Sequence, residues 1–426
     1  MPEVATDRPG PELTASNTPQ AFWRLTVDPA PTDPEWSAAI AKAAGELPAA
    51  ARRDGDDAAA LLFNTLGEGQ FGPDHWRLGL PRRAYYRLKP LLPRSLTTRL
   101  RSLHRGVAEQ RFELGWPEEP RWAAFLAATV GHLAKARGLE RLPYVRLWPE
   151  GRQFAFVLTH DIETAKGQAF AARVADLEEG LGFRSSFNFV TERYPLDQGL
   201  IADLRGRGFE IGVHGCRHDG RLFSSRRRFL RRAARINRHL RELGAVGFRS
   251  PLTHRHPGWM QDLEMEYDLS FFDSDPYEPI PGGVMTVWPF RIGRFWELPY
   301  TLPQDHTLAA VLGERTPKLW LEKLAFIRSV GGMALLNSHP DYLREGPLWP
   351  MYEQFLRQVR EGSDEQWHAL PREVARWWRT RLRASTVESL SGGVVGTISL
   401  DRGEGNSRIN ISPSADETMP HPVKGR

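Results

Sequence analysis

The chain has 426 residues, 41% of them apolar and 26% charged, which suits a soluble globular protein long enough for two or three domains. Its 57 basic residues are set against 52 acidic ones, and a formal charge of +5 demands no nucleic-acid partner; nor is any window apolar for long enough to cross a bilayer. The single cysteine, Cys216, excludes a disulfide framework and a multi-cysteine zinc site, and the opening Met-Pro-Glu-Val-Ala-Thr-Asp lacks the basic-then-apolar pattern of a secretory leader, so a cytoplasmic location is expected.

Residues 1–33 are rich in Pro, Thr, Ala and Asp without periodicity and read as a flexible lead-in. A helical pattern then runs through Ala38–Leu47 and Ala58–Leu66. Arg82–Arg105 is basic and must be broken by Pro90 and Pro93. Over Trp122–Leu139 the residues Trp122, Phe125, Leu126, Val130 and Leu133 keep helical spacing. Residues 34–142 carry no catalytic pattern and are expected to form a helical domain or cap.

From Tyr144–Trp148 the chain turns through Pro149-Glu-Gly151 into Phe154–Leu158, five apolar residues in a row, as in a strand covered on both faces. Strand and helix then alternate. The strands are expected at Ser185–Val190, Phe209–Val213, Val246–Arg249, Leu269–Phe272, Glu297–Leu302 and Met333–Asn337. The helices are expected at Thr164–Leu181, Gln198–Arg207, Arg221–Leu243, Gly258–Met265, Leu319–Ser329 and Leu348–Arg360, with a last one spaced by Trp367, Leu370, Val374, Trp377 and Trp378. This many strand–helix units predict an α/β fold whose parallel sheet closes, or nearly closes, into a barrel over residues 143–384. The arginines of 221–243 read as the solvated face of an amphipathic helix, with docking onto an anionic surface as the alternative. Residues 385–426 are Gly, Ser, Asp and Pro rich and read as a disordered tail.

In such a fold the residues just after the strands meet at one face. They are Asp161, Glu163, His214, His218, Arg249, Asp273, Asp275 and His339. His214-Gly-Cys-Arg-His218 places two imidazoles four apart, and on the first turn of a helix both would face one way. Imidazole suits zinc, iron, cobalt or nickel, and a carboxylate from a neighbouring strand would complete a three-ligand open site. Cys216 lies between them on another side and reads as buried. His339 can serve as a general acid, and Arg249 can fix a carboxylate. The chain's 14 tryptophans are compatible with sugar stacking but are more ordinarily core residues.

The ordered set Thr159-His160-Asp161-Ile162-Glu163, His214-Gly-Cys-Arg-His218, Phe248-Arg249-Ser250-Pro251, Asp273-Ser-Asp275-Pro-Tyr277 and Ser338-His339-Pro340 resembles the polysaccharide deacetylase family, carbohydrate esterase family 4, over roughly residues 150–380. The resemblance implies a distorted (β/α)7-type barrel and metal-dependent removal of an N- or O-acetyl group from a glycan or acetylated sugar, with zinc as the first expectation and cobalt, iron or nickel as alternatives. It implies Asp161 as catalytic base, His214 and His218 as metal imidazoles, Arg249 as the residue orienting the base, and His339 as general acid. It makes Asp273 or Asp275 the acidic partner of that arginine and histidine pair. Two positions depart from the family pattern. Ile162 follows Asp161 where a second aspartate is usual, which gives Glu163 the place of third ligand and leaves His160 as a supporting residue or an alternative ligand. Leu252 stands where a tyrosine is usual. Thr301, Gln304 and Asp305 are candidate substrate contacts. The competing reading is a carbohydrate-binding protein on the same barrel that binds sugar without releasing acetate. A metal-free amide hydrolase is a third reading, which the histidine pair argues against.

Overall fold

The computed structural model describes residues 10–77, 109–383, 395–401 and 408–412; the basic segment Arg82–Arg105 lies outside them. The N-terminal part is helical, with α1 at Pro19–Trp23, α2 at Asp33–Ala43, α3 at Ala58–Thr65 and α4 at Arg121–Arg137. Local chemistry sets the starts. Thr32 and Glu35 form a reciprocal capping box before α2, and Asp57 accepts hydrogen bonds from the amides of Ala59 and Ala60 before α3. Trp36, Ala39, Ile40 and Ala43 bury one face of α2 against α4, where Trp122, Phe125, Leu126, Val130 and Leu133 are buried as their spacing predicts.

From residue 10 onward the lead-in is packed rather than loose. Trp23 is buried and its indole N–H donates to Leu126 O at 2.9 Å. Asn17 pairs with the backbone of Arg291 through both amide atoms, at 2.8 and 2.7 Å. A short polar side chain acts there as a strand partner, a role that composition does not reveal.

Glu68, just after α3, ties this helical part to the rim of the barrel. It is 1% exposed, accepts from Arg255 Nε at 2.8 Å and Gly283 N at 2.8 Å, and is also held by Arg255 Nη2 and by His75 at 3.3 Å. Burial pushes its carboxyl up, but Arg255 and His75 outweigh that and hold it at about 2. Glu68→Gln strands the buried Arg255 guanidinium and is expected to cost about 3–5 kcal/mol. A folded-state pKa below the unfolded one gives stability that is present above about pH 4 and lost as pH falls toward 2. The gap between wild type and variant in urea melts should therefore narrow over that window; a gap that does not change with pH would reject the ion-pair account.

The barrel is built from β2 (Phe154–Ile162), β3 (Ser185–Phe189), β4 (Glu210–Val213), β5 (Gly247–Phe248), β6 (Tyr267–Asp268), β8 (Phe295–Glu297) and β9 (Met333–Ser338). These pair in parallel from β2 through β6 to β8, and β9 pairs with the other edge of β2. The ring closes beyond β8: Tyr300 bridges to Phe272, and Leu302 bridges to Leu336 of β9, with the amides of Thr301 and Leu302 donating to Leu335 O. The result is the expected distorted (β/α)7-type barrel, with a helical N-terminal extension. All nine residues of β2 are buried, as a central parallel strand requires.

Several boundaries move. The strand expected at Leu269–Phe272 sits at Tyr267–Asp268, and the helix expected at Gly258–Met265 is only Pro257–Met260. β7 (Phe290–Ile292) forms an antiparallel hairpin with β8, and β10 (Gln366–His368) pairs with the start of β2 before the last helix, Pro371–Arg383. The segment read as a disordered tail contains β11 (Val395–Asp401) and β12 (Arg408–Ser412). They form an antiparallel sheet with β1 (Arg141–Val145) through β11. Isolated sequence cannot show this, because β11 gains its hydrogen bonds from a strand some 250 residues earlier.

The arginine-rich helix spans Arg226–Glu242 with Phe229, Ala233, Ile236 and Leu240 buried. Its arginines are largely neutralised in place: Arg226 by Asp262, Arg232 by Asp219, Arg235 by Glu192, Arg238 by Glu242 and Arg241 by Glu264. That favours a solvated face over a docking surface.

Candidate metal centre and active site

Strand alternation decides which residues of the first motif face the mouth. In β2 the side chains of Thr159 and Asp161 point inward, with Glu163 following on the same side, while His160 points outward. His160 is fully buried between Ser338 Oγ at 2.8 Å and Glu178 Oε1 at 2.6 Å. It belongs to a packing network with Tyr352 and Ser185, whose hydroxyls also bind Glu178, and it ligates nothing in the mouth.

Asp161 is 2% exposed. Its Oδ1 accepts from Arg249 Nη1 at 3.1 Å and Asn188 Nδ2 at 3.2 Å, and its Oδ2 accepts from Asn337 Nδ2 at 3.2 Å. Burial raises a carboxyl's pKa, but Arg249, His214 and His339 outweigh it and hold Asp161 well below the usual range. Arg249 is fully buried and donates through Nη1 also to Thr159 Oγ1 at 2.9 Å and Asn337 Oδ1 at 2.6 Å, while its Nε donates to Leu269 O at 2.8 Å. Arg249 is thus brought against Asp161 at 3.1 Å.

His214 and His218 converge, with ring centroids 5.3 Å apart. They do so from a turn rather than from a helix. Gly215 sits at φ +66°, and a Cβ there would lie 2.9 Å from Pro251, so only glycine fits between this turn and the Arg249 loop. His214 Nδ1 meets Arg249 O at 3.1 Å, which makes Nδ1 the donor and leaves Nε2 with its lone pair. That Nε2 is buried and has no hydrogen-bond partner. Burial lowers His214 to about 4, against the opposing pull of Asp161, so the ring is neutral at neutral pH. His218 Nε2 lies 3.1 Å from Glu163 Oε1, and burial notwithstanding, Glu163 is held well below the usual carboxylate range by His218 and His339.

Glu163, His214 and His218 each offer one ligand atom, and these lie within 4.8 Å of one another. A neutral imidazole with an orphaned, buried nitrogen, a second imidazole and an ionised carboxylate form a donor set that fits a divalent cation of the zinc type. Asp161 Oδ2 lies 3.8 Å from His214 Nε2 and 3.9 Å from His339 Nε2, so this carboxylate sits beside the donor set and outside it. A second trio, Glu192, Cys216 and His239, is also close, but Glu192 is already bound by Arg235 and His239. Cys216 is buried as expected, and burial pushes its thiol up to about 11.

His339 faces the same space, with Nε2 at 3.9 Å from Glu163 Oε1. Its acidic partner is neither Asp273 nor Asp275. Asp273 is spent on the buried Lys323, at 2.8 and 3.0 Å, and Asp275 Oδ1 accepts from Tyr277 N at 2.8 Å. Asp305 takes that place: its Oδ1 lies 2.7 Å from His339 Nδ1, and its Oδ2 accepts from His339 N at 2.8 Å. Burial alone would lower His339, but Asp305, Glu163 and Asp161 raise it to about 10. None of the three expected substrate contacts is free for substrate. Thr301 Oγ1 donates to Met333 O, Gln304 Oε1 accepts from Asn337, and Asp305 holds His339.

Two residues escaped the sequence reading, Asn188 and Asn337, while Asp305 was expected to touch substrate and instead holds His339. Asn188 stands directly opposite Asp161 in the β2–β3 register, and a Cβ at Gly212 would lie 2.0 Å from its Oδ1, so a glycine on β4 makes room for it. The one available signal was an asparagine inside each of two otherwise apolar or small-residue strands.

No family model and no curated protein matches the chain. Among solved structures, the chain is similar to a protein of Mycobacterium smegmatis assigned as a polysaccharide deacetylase, at 18% identity and a TM-score of 0.46, over 58% of this chain and 95% of that one. It is similar to PuuE allantoinase at 14% identity and a TM-score of 0.44, over 55% and 92% of the two chains. It is also similar to a probable polysaccharide deacetylase of Pseudomonas aeruginosa PAO1 at 15% identity and a TM-score of 0.44, over 55% and 93%. At these identities the chemistry of this chain has to be argued from its own side chains. No helix among the described residues is long and apolar enough to cross a membrane.

Proposed function

We propose that this chain is a metal-dependent hydrolase that removes an acetyl group from a glycan or glycan precursor. The observation that carries the reading is the convergence of Glu163, His214 and His218 beside Asp161 and His339. Glu163, His214 and His218 would hold the ion, which when bound would polarise the acetyl carbonyl and acidify water. Zinc suits the donor set best.

The remaining steps belong to the protein's own groups. Asp161 is ionised at any working pH and takes the water's proton. Arg249, Asn188 and Asn337 fix both of its oxygens, so no rotamer search precedes that transfer. His339 carries a proton at neutral pH because Asp305 holds it there, and it delivers that proton from Nε2 to the departing nitrogen or oxygen.

Asp305→Asn removes the anion that keeps His339 charged. The alkaline limb of kcat/KM is expected to move to lower pH, with a loss of about 10²-fold at pH 8 and less at pH 6. An unshifted alkaline limb would remove His339 from the acid role. The proposal as a whole is tested by metal analysis of the purified protein joined to an acetate-release screen over N- and O-acetylated sugars and chitin or peptidoglycan fragments. About one equivalent of metal with metal-dependent acetate release is the expected result. Sugar binding with no acetate release, unchanged when metal is stripped, would favour the carbohydrate-binding alternative.

A further inference from the structure

At the pole of the barrel away from the metal centre, the amino ends of β2, β9 and β10 border a cavity of about 470 Å³. Phe154, the first residue of β2, lines it. Asp161 stands seven residues further along that strand, roughly 23 Å away at ~3.3 Å per residue. The cavity is therefore separate from the site above. Its size is within the usual range for a small-molecule pocket.

Among the described residues its lining contains three arginines, Arg146, Arg152 and Arg328, and no Asp or Glu. Arg328 engages Glu365, and Arg152 lies 3.9 Å from Glu150. Arg146 makes no ion pair among the described residues, and its Nε is buried without a hydrogen-bond partner. Behind it lies Arg381, 0% exposed, which donates to the carbonyls of Arg146, Val145 and Phe22 and leaves Nη1 unpartnered. Gln366, 5% exposed, lines the cavity with its Oε1 unpartnered. Burial lowers both Arg146 and Arg381, the latter to about 9, as expected of cations without counter-charge. Its apolar lining includes Trp148, Leu321 and Leu324.

We propose that this cavity binds a small phosphate ester, its phosphate on Arg146 and its compact apolar or aromatic body against the wall of Trp148 and Leu321. Guanidinium forks match phosphate oxygens, and a dianion supplies the counter-charge that Arg146 lacks among the described residues. A buried guanidinium nitrogen needs a partner, and Nε of the half-buried Arg146 and Nη1 of Arg381 have none.

The test is calorimetric titration of the full-length protein with phenyl phosphate, inorganic phosphate, benzoate and benzyl alcohol, with and without saturating zinc. Phenyl phosphate is expected to bind with one equivalent whether or not zinc is present, at least tenfold tighter than benzoate, and benzyl alcohol not at all. Arg146→Gln is expected to weaken phenyl phosphate at least tenfold. Leu324→Trp, which fills the cavity and leaves every charge in place, is expected to abolish binding. Absence of binding to wild type, equal affinity in a folded Arg146→Gln or Leu324→Trp protein, or benzoate binding as tightly as phenyl phosphate would each overturn the proposal. So would binding that appears only with zinc, which would place the ligand at the metal centre.

Discussion

Asp161→Asn is expected to keep the metal and lose about 10²–10⁴-fold in acetate release, the range associated with a positioned general base. The substitution preserves shape and removes only the charge and the ability to accept a proton. With its amide oxygen at the Oδ1 position it still accepts from Arg249 and Asn188. Its new NH2 then faces Asn337 Nδ2, itself a donor, so one hydrogen bond is lost. Arg249 also loses the only carboxylate it contacts among the described residues, at 3.1 Å. A lower Tm is therefore expected alongside the lost turnover, and the two must be separated. Metal content near one equivalent and an unchanged circular-dichroism spectrum, with turnover gone, is the predicted pattern. A folded variant with full activity would mean that some other group takes the proton.

His214→Ala is expected to remove both metal and turnover. Its Nε2 is the one donor of the set that is buried and has no hydrogen-bond partner, so its lone pair has no use in the fold except toward a ligand. His218→Ala should behave alike, although its partnership with Glu163 at 3.1 Å already satisfies it in part. His160→Ala supplies the contrast. That ring is hydrogen-bonded at both nitrogens inside the Glu178 network, so its loss should lower stability while metal binding persists in whatever fraction stays folded. Equilibrium dialysis against zinc or cobalt reads all three. Full metal occupancy in His214→Ala would displace the site from this mouth.

Much of the barrel is visible in the chain itself because hydrophobic burial is a local property of sequence. Five apolar residues in a row at Phe154–Leu158 suit a strand covered on both faces, and all nine residues of β2 are buried. The motif residues at strand ends were legible for the same reason: charged groups that interrupt an apolar run end up at its mouth. Asp161, Arg249 and His339 indeed meet there, with His214 and His218.

What the sequence could not supply is lateral register. Which residue of one strand lies beside which residue of the next depends on a ladder of hydrogen bonds between segments far apart in the chain. The choice among Asp273, Asp275 and Asp305 as the partner of His339 turns on this. The closing bridge sets Leu302 beside Leu336, so three residues further on in each segment Asp305 comes level with His339, while Asp273 is drawn off to Lys323. The same holds for Asn188, level with Asp161, and for β11, which is paired with β1. The residue types, their order and the strands that carry them were fixed by local pattern, because each strand's burial is decided by its own side chains. The neighbours that hold Asp161 and His339 were decided only in three dimensions, because closing a barrel is a property of the whole ring.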